Sequence, residues 1–220
     1  MQGQIVAMAG ASKAHVIITG NLSALLINHL RGTGCISYSS DMKVRLPSLN
    51  LFYYPDLYEF VDGKVFAMTG STLTHNDISV NILTTLHQQV RAQGCRINIA
   101  DAKVQVTPSS YRYPDLVVSC AQEDTRAIQA ISKPKIIIAV LSPSTEALDR
   151  GDKFKEYRSL DSLAEYVLVS SNQINVEIYR RGEGRMWLYT AYQEGDIVKL
   201  ESLGLEFPIM LFYERVNLSI

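Results

Sequence analysis

The sequence contains few cysteines, and the three it has, Cys35, Cys95 and Cys120, lie far apart without a C-x-x-C pair. This spacing supports neither a disulfide scaffold nor a structural zinc site, and it is typical of a protein from a reducing cytoplasm. The sequence also has no excess of one charge, since 21 Lys and Arg residues oppose 22 Asp and Glu residues. A strongly basic coat protein and an acidic disordered chain are therefore excluded, and any contact with a polyanion must be a local patch.

Long hydrophobic runs and several common motifs are also missing. No run approaches the length of a membrane span, and residues 1–20 lack a basic n-region and carry His15 within their apolar part. We therefore expect neither export nor a membrane anchor. The sequence has no G-x-G-x-x-G, Walker, H-E-x-x-H or G-x-S-x-G motif. Nucleotide hydrolysis, zinc proteolysis and α/β-hydrolase chemistry have no support.

The clearest feature of the amino-acid sequence is an internal repeat. Residues 3–10 match residues 63–70, and at the same offset of about 60 residues His15 matches His75, Asn21 matches Asn81, Cys35 matches Cys95 and Asp41 matches Asp101. The two copies end at a shared YPDL tetrapeptide, and everything after Asp115 occurs once. We therefore expect a partial copy of a domain's first half at residues 1–56 and the complete domain at residues 57–220.

Hydrophobic periodicity predicts a mixed α/β, or α+β, fold. Alternation over residues 58–68, broken by Asp62-Gly63, predicts a hairpin. Apolar residues at four-residue spacing over 78–90 predict an amphipathic helix that ends at Gly94, and the apolar run 135–141 predicts a central strand. We expect a second helix over 152–160 and further strands over 96–106, 114–120, 166–170, 176–180, 186–192 and 197–200.

The candidate chemistry begins at Asp115, which stands at the head of an apolar strand. A metal-dependent phosphodiesterase needs carboxylates that converge on Mg²⁺ and a cation beside the attacked phosphate. Asp115 can serve as the first acid. The next apolar strand should supply a second acid and a lysine two residues later, but it reads Ala139-Val140-Leu141.

Five segments carry a resemblance to a known family: YEFVDG (residues 58–63), YPDL (113–116), LSPST (141–145), DRGDKF (149–154) and YR (157–158). They resemble the bacterial Uma-type restriction endonuclease family, whose core is similar to the PD-(D/E)XK nuclease fold. The resemblance covers about residues 57 to 215, and residues 1–56 resemble the first half of the same domain. It implies a central mixed sheet flanked by helices, extra C-terminal antiparallel strands, and an endonuclease that uses Mg²⁺ or Mn²⁺ on DNA.

The resemblance also implies a site. Carried over, Asp115 is the metal acid and Lys153, on the following helix, is the cation. The family pattern has a glutamate at the position of Ala139, whose methyl group cannot bind a cation. Glu146 or Asp149 is a candidate replacement for that acid. Lys153 has a plainer interpretation, in which its stem lies along the apolar helix edge and its ammonium reaches solvent.

Two further residues are second-tier catalytic candidates. Asp101, matched by Asp41 in the partial copy, fits a second metal ligand on its strand, and an outward polar position explains it as well. His75 opens the long helix, where it could contact phosphate or act as a base, and a packing or capping role is the alternative.

Two functional hypotheses follow, both for a cytoplasmic protein. The first is a Mg²⁺- or Mn²⁺-dependent DNA endonuclease, and the second is a catalytically dead remnant that binds DNA or pairs with an intact paralogue. Ala139 and the half-domain repeat both favour the second. The partial copy also predicts an apolar helix face that stays exposed unless it docks on the domain or on another chain, as in a homodimer; its residues are Ile18, Leu22, Leu25, Leu26 and Leu30.

Overall fold

The fold comes from a computed structural model. It describes residues 13–31, 44–46, 51–53, 58–61, 64–67, 72–100, 102–143 and 145–218. The helices are α1 (Lys13–Leu30), α2 (Leu73–Ala92), α3 (Gln122–Arg126), α4 (Glu146–Leu148) and α5 (Phe154–Tyr157), with a π-helical turn over Asp149–Lys153 between α4 and α5. Two 3₁₀ turns cover Glu201–Leu203 and Ile209–Leu211.

The strands form four sheets. They are β1 (Val44–Leu46), β2 (Leu51–Tyr53), β3 (Tyr58–Val61), β4 (Lys64–Ala67), β5 (Arg96–Ile99), β6 (Val104–Thr107), β7 (Ser110–Arg112), β8 (Leu116–Ser119), β9 (Ile136–Leu141), β10 (Glu165–Ser170), β11 (Asn175–Arg181), β12 (Trp187–Gln193), β13 (Ile197–Leu200) and β14 (Leu205–Pro208). The main sheet has the order β12-β11-β10-β9-β8-β5, with β9 and β10 parallel and the other pairs antiparallel. The predicted mixed α+β class is therefore correct.

β9 lies inside the main sheet, as its apolar sequence predicts, and all six of its residues are buried. Successive side chains of a strand point to opposite faces, so β9 contributes to two apolar clusters. Ile136, Ile138 and Val140 pack in the cluster beneath α2 and the C-terminal strands. Ile137, Ala139 and Leu141 pack in the cluster that contains Tyr157 and Tyr166. The side chains of β9 thus belong to both apolar clusters, one on each face of the main sheet.

α2 has the boundaries that its sequence predicts. Thr72 precedes the helix, and its side-chain oxygen accepts a hydrogen bond of 3.2 Å from the backbone N–H of His75. Beyond the C-terminus, Gly94 adopts a positive φ of +74°, which glycine tolerates best. The apolar face is fully buried, and its members are Ile78, Ile82, Leu86 and Val90.

Two predicted elements have different bounds in the structure. The second helical segment begins at Glu146 and ends at Tyr157, so the predicted start at 152 and end at 160 are wrong. Residues 96–106 are not one strand, because Ala100 has φ 53° and the chain leaves the main sheet there. β5 belongs to the main sheet, whereas β6 belongs to a separate sheet of order β4-β3-β7-β6.

The spacing of the cysteines led us to expect no disulfide, and that prediction is wrong. Cys95 and Cys120 form a disulfide with an S–S distance of 2.00 Å. The cause is strand register: β5 and β8 are antiparallel with Arg96 opposite Ser119, so Cys95, just before β5, faces Cys120, just after β8. Separation along the sequence does not reveal such a pairing.

The described elements of the predicted partial copy recur in the predicted domain. α1 corresponds to α2 at the repeat offset, and the β1–β2 hairpin corresponds to β6–β7. α1 packs on α2 and β5 and leaves Ile18, Leu22, Leu25 and Leu26 exposed. The division of the chain at residues 56 and 57 stays a prediction. Within the described residues, no helix combines the length and hydropathy needed to cross a membrane.

Candidate active site

Asp115 is held at the head of β8 by two neighbouring elements. Its Oδ2 accepts a hydrogen bond of 2.7 Å from the backbone N–H of Val140 on β9. Its Oδ1 lies 3.2 Å from Nε2 of His75 on α2, and the side chain stays 24% exposed. The carboxylate is therefore fixed in orientation and still accessible.

The register of β8 and β9 explains this position. Leu116 pairs with Ile138, so one further step along the antiparallel pair sets Asp115 opposite Ala139. Ladder pairing of the two strands ends there while β9 continues to Leu141. Beyond the last ladder pair, the Asp115 carboxylate accepts a hydrogen bond from the backbone N–H of Val140. Residues opposite one another on antiparallel strands share a face of the sheet, so position 139 lies on the same face as Asp115.

The electrostatic environment keeps Asp115 ionised. Burial acts to raise its pKa, but the charge and hydrogen bond of His75, the Val140 N–H and the charge of Lys153 together lower the pKa of Asp115 below its usual value. His75, a second-tier candidate in the sequence, is thus brought against the principal one. Its side chain is only 10% exposed.

A buried ion pair completes the cluster. Lys153 Nζ lies 3.0 Å from Asp149 Oδ1, and the two side chains are 8% and 5% exposed. Burial raises the pKa of Asp149, Lys153 partly opposes that rise, and the charge of Asp115 adds to it. Because Asp149 and Lys153 both interact electrostatically with Asp115, all three belong to one site.

Tyr166 lies beneath the cluster. Its hydroxyl donates a hydrogen bond of 3.0 Å to the backbone oxygen of Asp149. Burial, followed by the charges of Asp149 and Asp115, raises the pKa of Tyr166 well above its usual value. The Thr145 side chain also hydrogen-bonds to the Asp149 carboxylate. Tyr166 was not singled out from the sequence. The pairing of Asp149 with Lys153 was not predicted either, although their i, i+4 spacing on a helix could have indicated it.

Two bidentate ion pairs hold the helical segment that carries Asp149 and Lys153. Arg150 donates to both carboxylate oxygens of Glu177 on β11 at 2.6 and 2.7 Å, and to Glu146 at 2.8 Å. Arg112 on β7 donates to both oxygens of Glu156 on α5 at 2.7 Å. Such paired contacts fix orientation as well as distance. The π-helical turn, a feature often found at functional sites, is therefore anchored on either side.

The described residues of the cluster offer few oxygen ligands for a magnesium ion. Among the residues that the structure describes, no three His, Cys, Asp or Glu side chains are grouped so as to hold a metal ion. The Asp149 carboxylate is engaged by Lys153, and Ala139, only 5% exposed within an apolar cluster, supplies no oxygen. Mg²⁺ prefers several oxygen ligands in octahedral geometry, and this cluster offers chiefly Asp115. Asp101, the other predicted ligand, lies outside the described residues.

Comparison with known proteins agrees with the nuclease-like architecture. The crystal structure of a "putative nuclease" from Anabaena variabilis matches with a TM-score of 0.60 and 15% identity, covering 73% of this chain and 91% of that one. The fold is therefore that of a nuclease-like α+β protein. A family model described as "Putative restriction endonuclease" (Uma2) matches residues 1–58 and residues 57–210. The chain belongs to this family.

Two relatives come from Synechocystis sp., and each carries the name of an uncharacterized protein. One (slr1290) is 37% identical over 157 residues, which cover 71% of this chain and 83% of the relative. The other (sll1609) is 30% identical over 155 residues, which cover 69% of this chain and 84% of the relative. Both alignments span most of the relative's length.

Proposed function

We propose that the protein is a DNA-directed member of the endonuclease family in which Ala139 limits phosphodiester cleavage. The observation that carries the proposal is the register of β8 and β9, which sets a methyl group opposite the ionised Asp115. The family pattern has a glutamate at that position. A single accessible carboxylate binds Mg²⁺ too weakly to support efficient hydrolysis.

The remaining residues support an interaction with phosphate. Lys153 supplies a positive charge next to Asp115, which suits it to the charge that develops on an attacked phosphate. Asp149 holds the Lys153 ammonium in position, and His75 orients Asp115. In this proposal Asp115 and Lys153 contact the metal or the substrate, and His75 and Asp149 are positioning residues. The proposal assigns the protein to the cytoplasm because DNA would be accessible there, and it does not rest on the cysteines, two of which form a disulfide.

The test is a plasmid-nicking assay with Mg²⁺ and with Mn²⁺. We expect the natural chain to nick DNA little above background and Ala139→Glu to bind the metal and gain cleavage. Ala139→Gln is the matched control, because it adds the same bulk to the apolar cluster without a charge, and it should gain nothing. Asp115→Ala in the Ala139→Glu background should abolish the gain. Calorimetric metal titration and circular dichroism of each variant separate a lost site from a lost fold.

Two results would contradict the proposal in different ways. Robust cleavage by the natural chain that survives Asp115→Ala would refute the site assignment. Robust cleavage that Asp115→Ala abolishes would keep the site and show that another acid, Asp101 or Asp149, replaces the missing glutamate. In either case Ala139 would not limit activity.

A second candidate function is a non-catalytic module that binds DNA or associates with an intact relative or a second copy. The exposed face of α1 favours it, since Ile18, Leu22 and Leu26 correspond at the repeat offset to the residues that α2 buries, Ile78, Ile82 and Leu86. Exposed apolar faces of this kind are typical of association sites. No gain of cleavage in a folded Ala139→Glu variant, together with a dimer mass in light scattering, would favour this function.

A further inference from the structure

A second polar cavity lies far from Asp115, at the other end of α2. It has a volume of about 310 Å³ and opens between α1, the last turns of α2 and the start of β5. Its polar lining consists of Asn21, His87, Arg91, Arg96, Asn98 and Thr125. His87 follows His75 by about three turns of α2, so the cavity lies on the order of 18 Å along the helix from the Asp115 cluster.

The cavity is positively charged. It brings together Arg91, Arg96 and His87, and none of the lining residues that the structure describes is acidic. Burial, followed by the charge of Arg91, lowers the pKa of His87, so Arg91 and Arg96 carry the positive charge at neutral pH and His87 contributes a neutral ring. A cavity of this kind attracts anions.

The nearest acid is Asp124, and its carboxylate is already engaged. Asp124 is fully buried, and its oxygens accept hydrogen bonds from Ser119, Ser132 and the backbone N–H of Lys133. It attracts Arg96, yet burial lowers the pKa of Arg96 by more than Asp124 raises it. The Arg96 guanidinium is therefore a partly desolvated cation that Asp124 does not fully compensate.

The guanidinium of Arg96 is also fixed in place. Its Nε donates a hydrogen bond of 2.9 Å to Asn98 Oδ1, and its Nη1 donates to the backbone oxygen of Asp124. On the opposite wall, Arg91 Nη1 and His87 Nε2 lie 3.1 and 3.2 Å from one neutral acceptor, Asn21 Oδ1. A neutral amide oxygen offers the Arg91 guanidinium little charge compensation. A ligand with several anionic oxygens would match this wall and Arg96 far better.

We propose that this cavity binds a small phosphate-bearing anion, separate from the Asp115 cluster and independent of DNA cleavage. Carboxylate and phosphate oxygens both match the guanidinium fork, and a phosphate group has more oxygens to offer to Arg91 and Arg96 together. The volume is at the lower end of the range for small-molecule sites and exceeds what a bare phosphate group fills. A nucleoside monophosphate is therefore the ligand class that fits best.

The test is calorimetric titration of the full-length protein with AMP and with inorganic phosphate. We expect both to bind the natural chain, and Arg96→Gln and Arg91→Gln each to lose about tenfold in affinity. Arg185→Gln is the charge-matched control, because Arg185 lies on an exposed turn between β11 and β12, and it should bind as the natural chain does. Tighter binding of AMP would identify a nucleotide as the source of the phosphate, and equal affinities would identify free phosphate.

Three results would overturn the proposal. One is the absence of AMP and phosphate binding at millimolar concentration, and another is unchanged affinity in Arg91→Gln, whose exposed position allows the variant to fold. The third is a tenfold loss of duplex DNA binding in Arg96→Gln with AMP affinity unchanged, which would make the cluster part of a DNA surface. Arg96→Lys, which keeps the charge and loses the planar fork, shows whether a loss in Arg96→Gln reflects ligand contacts.

Discussion

Asp149 and Lys153 face one another across the π-helical turn at 3.0 Å, with side chains only 5% and 8% exposed. Because water solvates neither charge well, each charge is stabilised mainly by the opposite charge of its partner. Their pairing leaves Asp115 as the accessible acid of the cluster. The ion pair therefore determines both the stability of the turn and the charge that the site presents to a ligand.

Replacement of Lys153 by methionine should destabilise the protein strongly. Methionine keeps much of the apolar stem but leaves the Asp149 carboxylate buried without its ammonium partner, and such losses cost about 3 kcal/mol. Urea unfolding at neutral pH measures the change. The double variant Asp149→Asn with Lys153→Met should recover part of the loss, because no unpaired charge remains.

The loss of stability in Lys153→Met should depend on pH. Because the pKa of Asp149 is raised in the folded state, folded protein holds this proton to higher pH than unfolded protein. The contribution of Asp149 to stability is therefore fully present below the unfolded pKa and decreases as pH rises through the folded pKa. Without Lys153 the folded pKa should rise further. Lys153→Met should thus cost more at pH 7 than near pH 4, and an equal cost at both would contradict this account.

Asp124 has the opposite pH behaviour. Burial acts to raise its pKa, but hydrogen bonds from Ser119, Ser132 and Lys133 outweigh burial and lower it. Its contribution is therefore present above the unfolded pKa and is lost as pH falls through the lower folded pKa. Asp124→Asn should cost about 2 kcal/mol at pH 7 and flatten the loss of stability below about pH 4.

A neighbouring residue provides the control for Asp124. Glu123 is 62% exposed and pairs with Lys133, which is also exposed, at 2.6 Å. Exposed ion pairs contribute little, so Glu123→Gln should leave the urea midpoint of unfolding close to that of the natural chain. Similar costs for Asp124→Asn and Glu123→Gln would show that the buried hydrogen bonds do not anchor this loop.

Local patterns account for the elements that the sequence predicted well. The apolar run of β9 and the four-residue apolar spacing of α2 record burial directly, and each element formed nearly where expected. The contact of His75 with Asp115 was not predictable in the same way, because it depends on how the N-terminus of α2 packs over the strand ends. Asp124 gave no signal either, since a polar residue between two strands usually indicates an exposed loop.

Strand register is the information that the sequence did not supply. It pairs Cys95 with Cys120 and sets Ala139 opposite Asp115. The family resemblance had identified position 139 as part of the site, whereas nothing in the spacing of the cysteines indicated a bond. A one-residue shift of the β5–β8 ladder would have removed the first relationship, and a one-residue shift of the β8–β9 ladder would have removed the second.

The Cys95–Cys120 disulfide determines how many reactive thiols the denatured protein should have. Protein prepared without reductant and denatured should expose one reactive thiol, that of Cys35, whereas reduced protein should expose all three cysteines. The bond closes a loop with a sequence separation of 25. Its reduction should therefore lower the unfolding free energy by about 3 kcal/mol in the chain-entropy view. Cys35→Ser should leave this difference unchanged. Three reactive thiols in air-exposed, unreduced protein would contradict the pairing.

The predicted domain division can be tested by removing residues 1–56. Both apolar clusters consist of residues from Ile78 onward, and no described residue of α1 belongs to either. The described contacts of α1 include polar ones, such as that of Asn21 with His87 and the exposed Arg31–Glu214 pair at 3.1 Å. In the fragment 57–220 the domain's own first half stays joined to the rest by a short connection, so the entropic cost of loop closure is small.

We therefore expect the fragment 57–220 to unfold cooperatively in thermal and urea melts followed by circular dichroism. Its stability should be close to that of the full chain, because exposed ion pairs and surface hydrogen bonds contribute about 1 kcal/mol or less each. The reciprocal fragment 1–56 does not include the main sheet, whose described strands all lie after residue 95, and it should show little stable structure. A fragment 57–220 that is insoluble or lacks a cooperative transition, while the full chain has one, would make residues 1–56 an integral part of the fold and move the domain boundary.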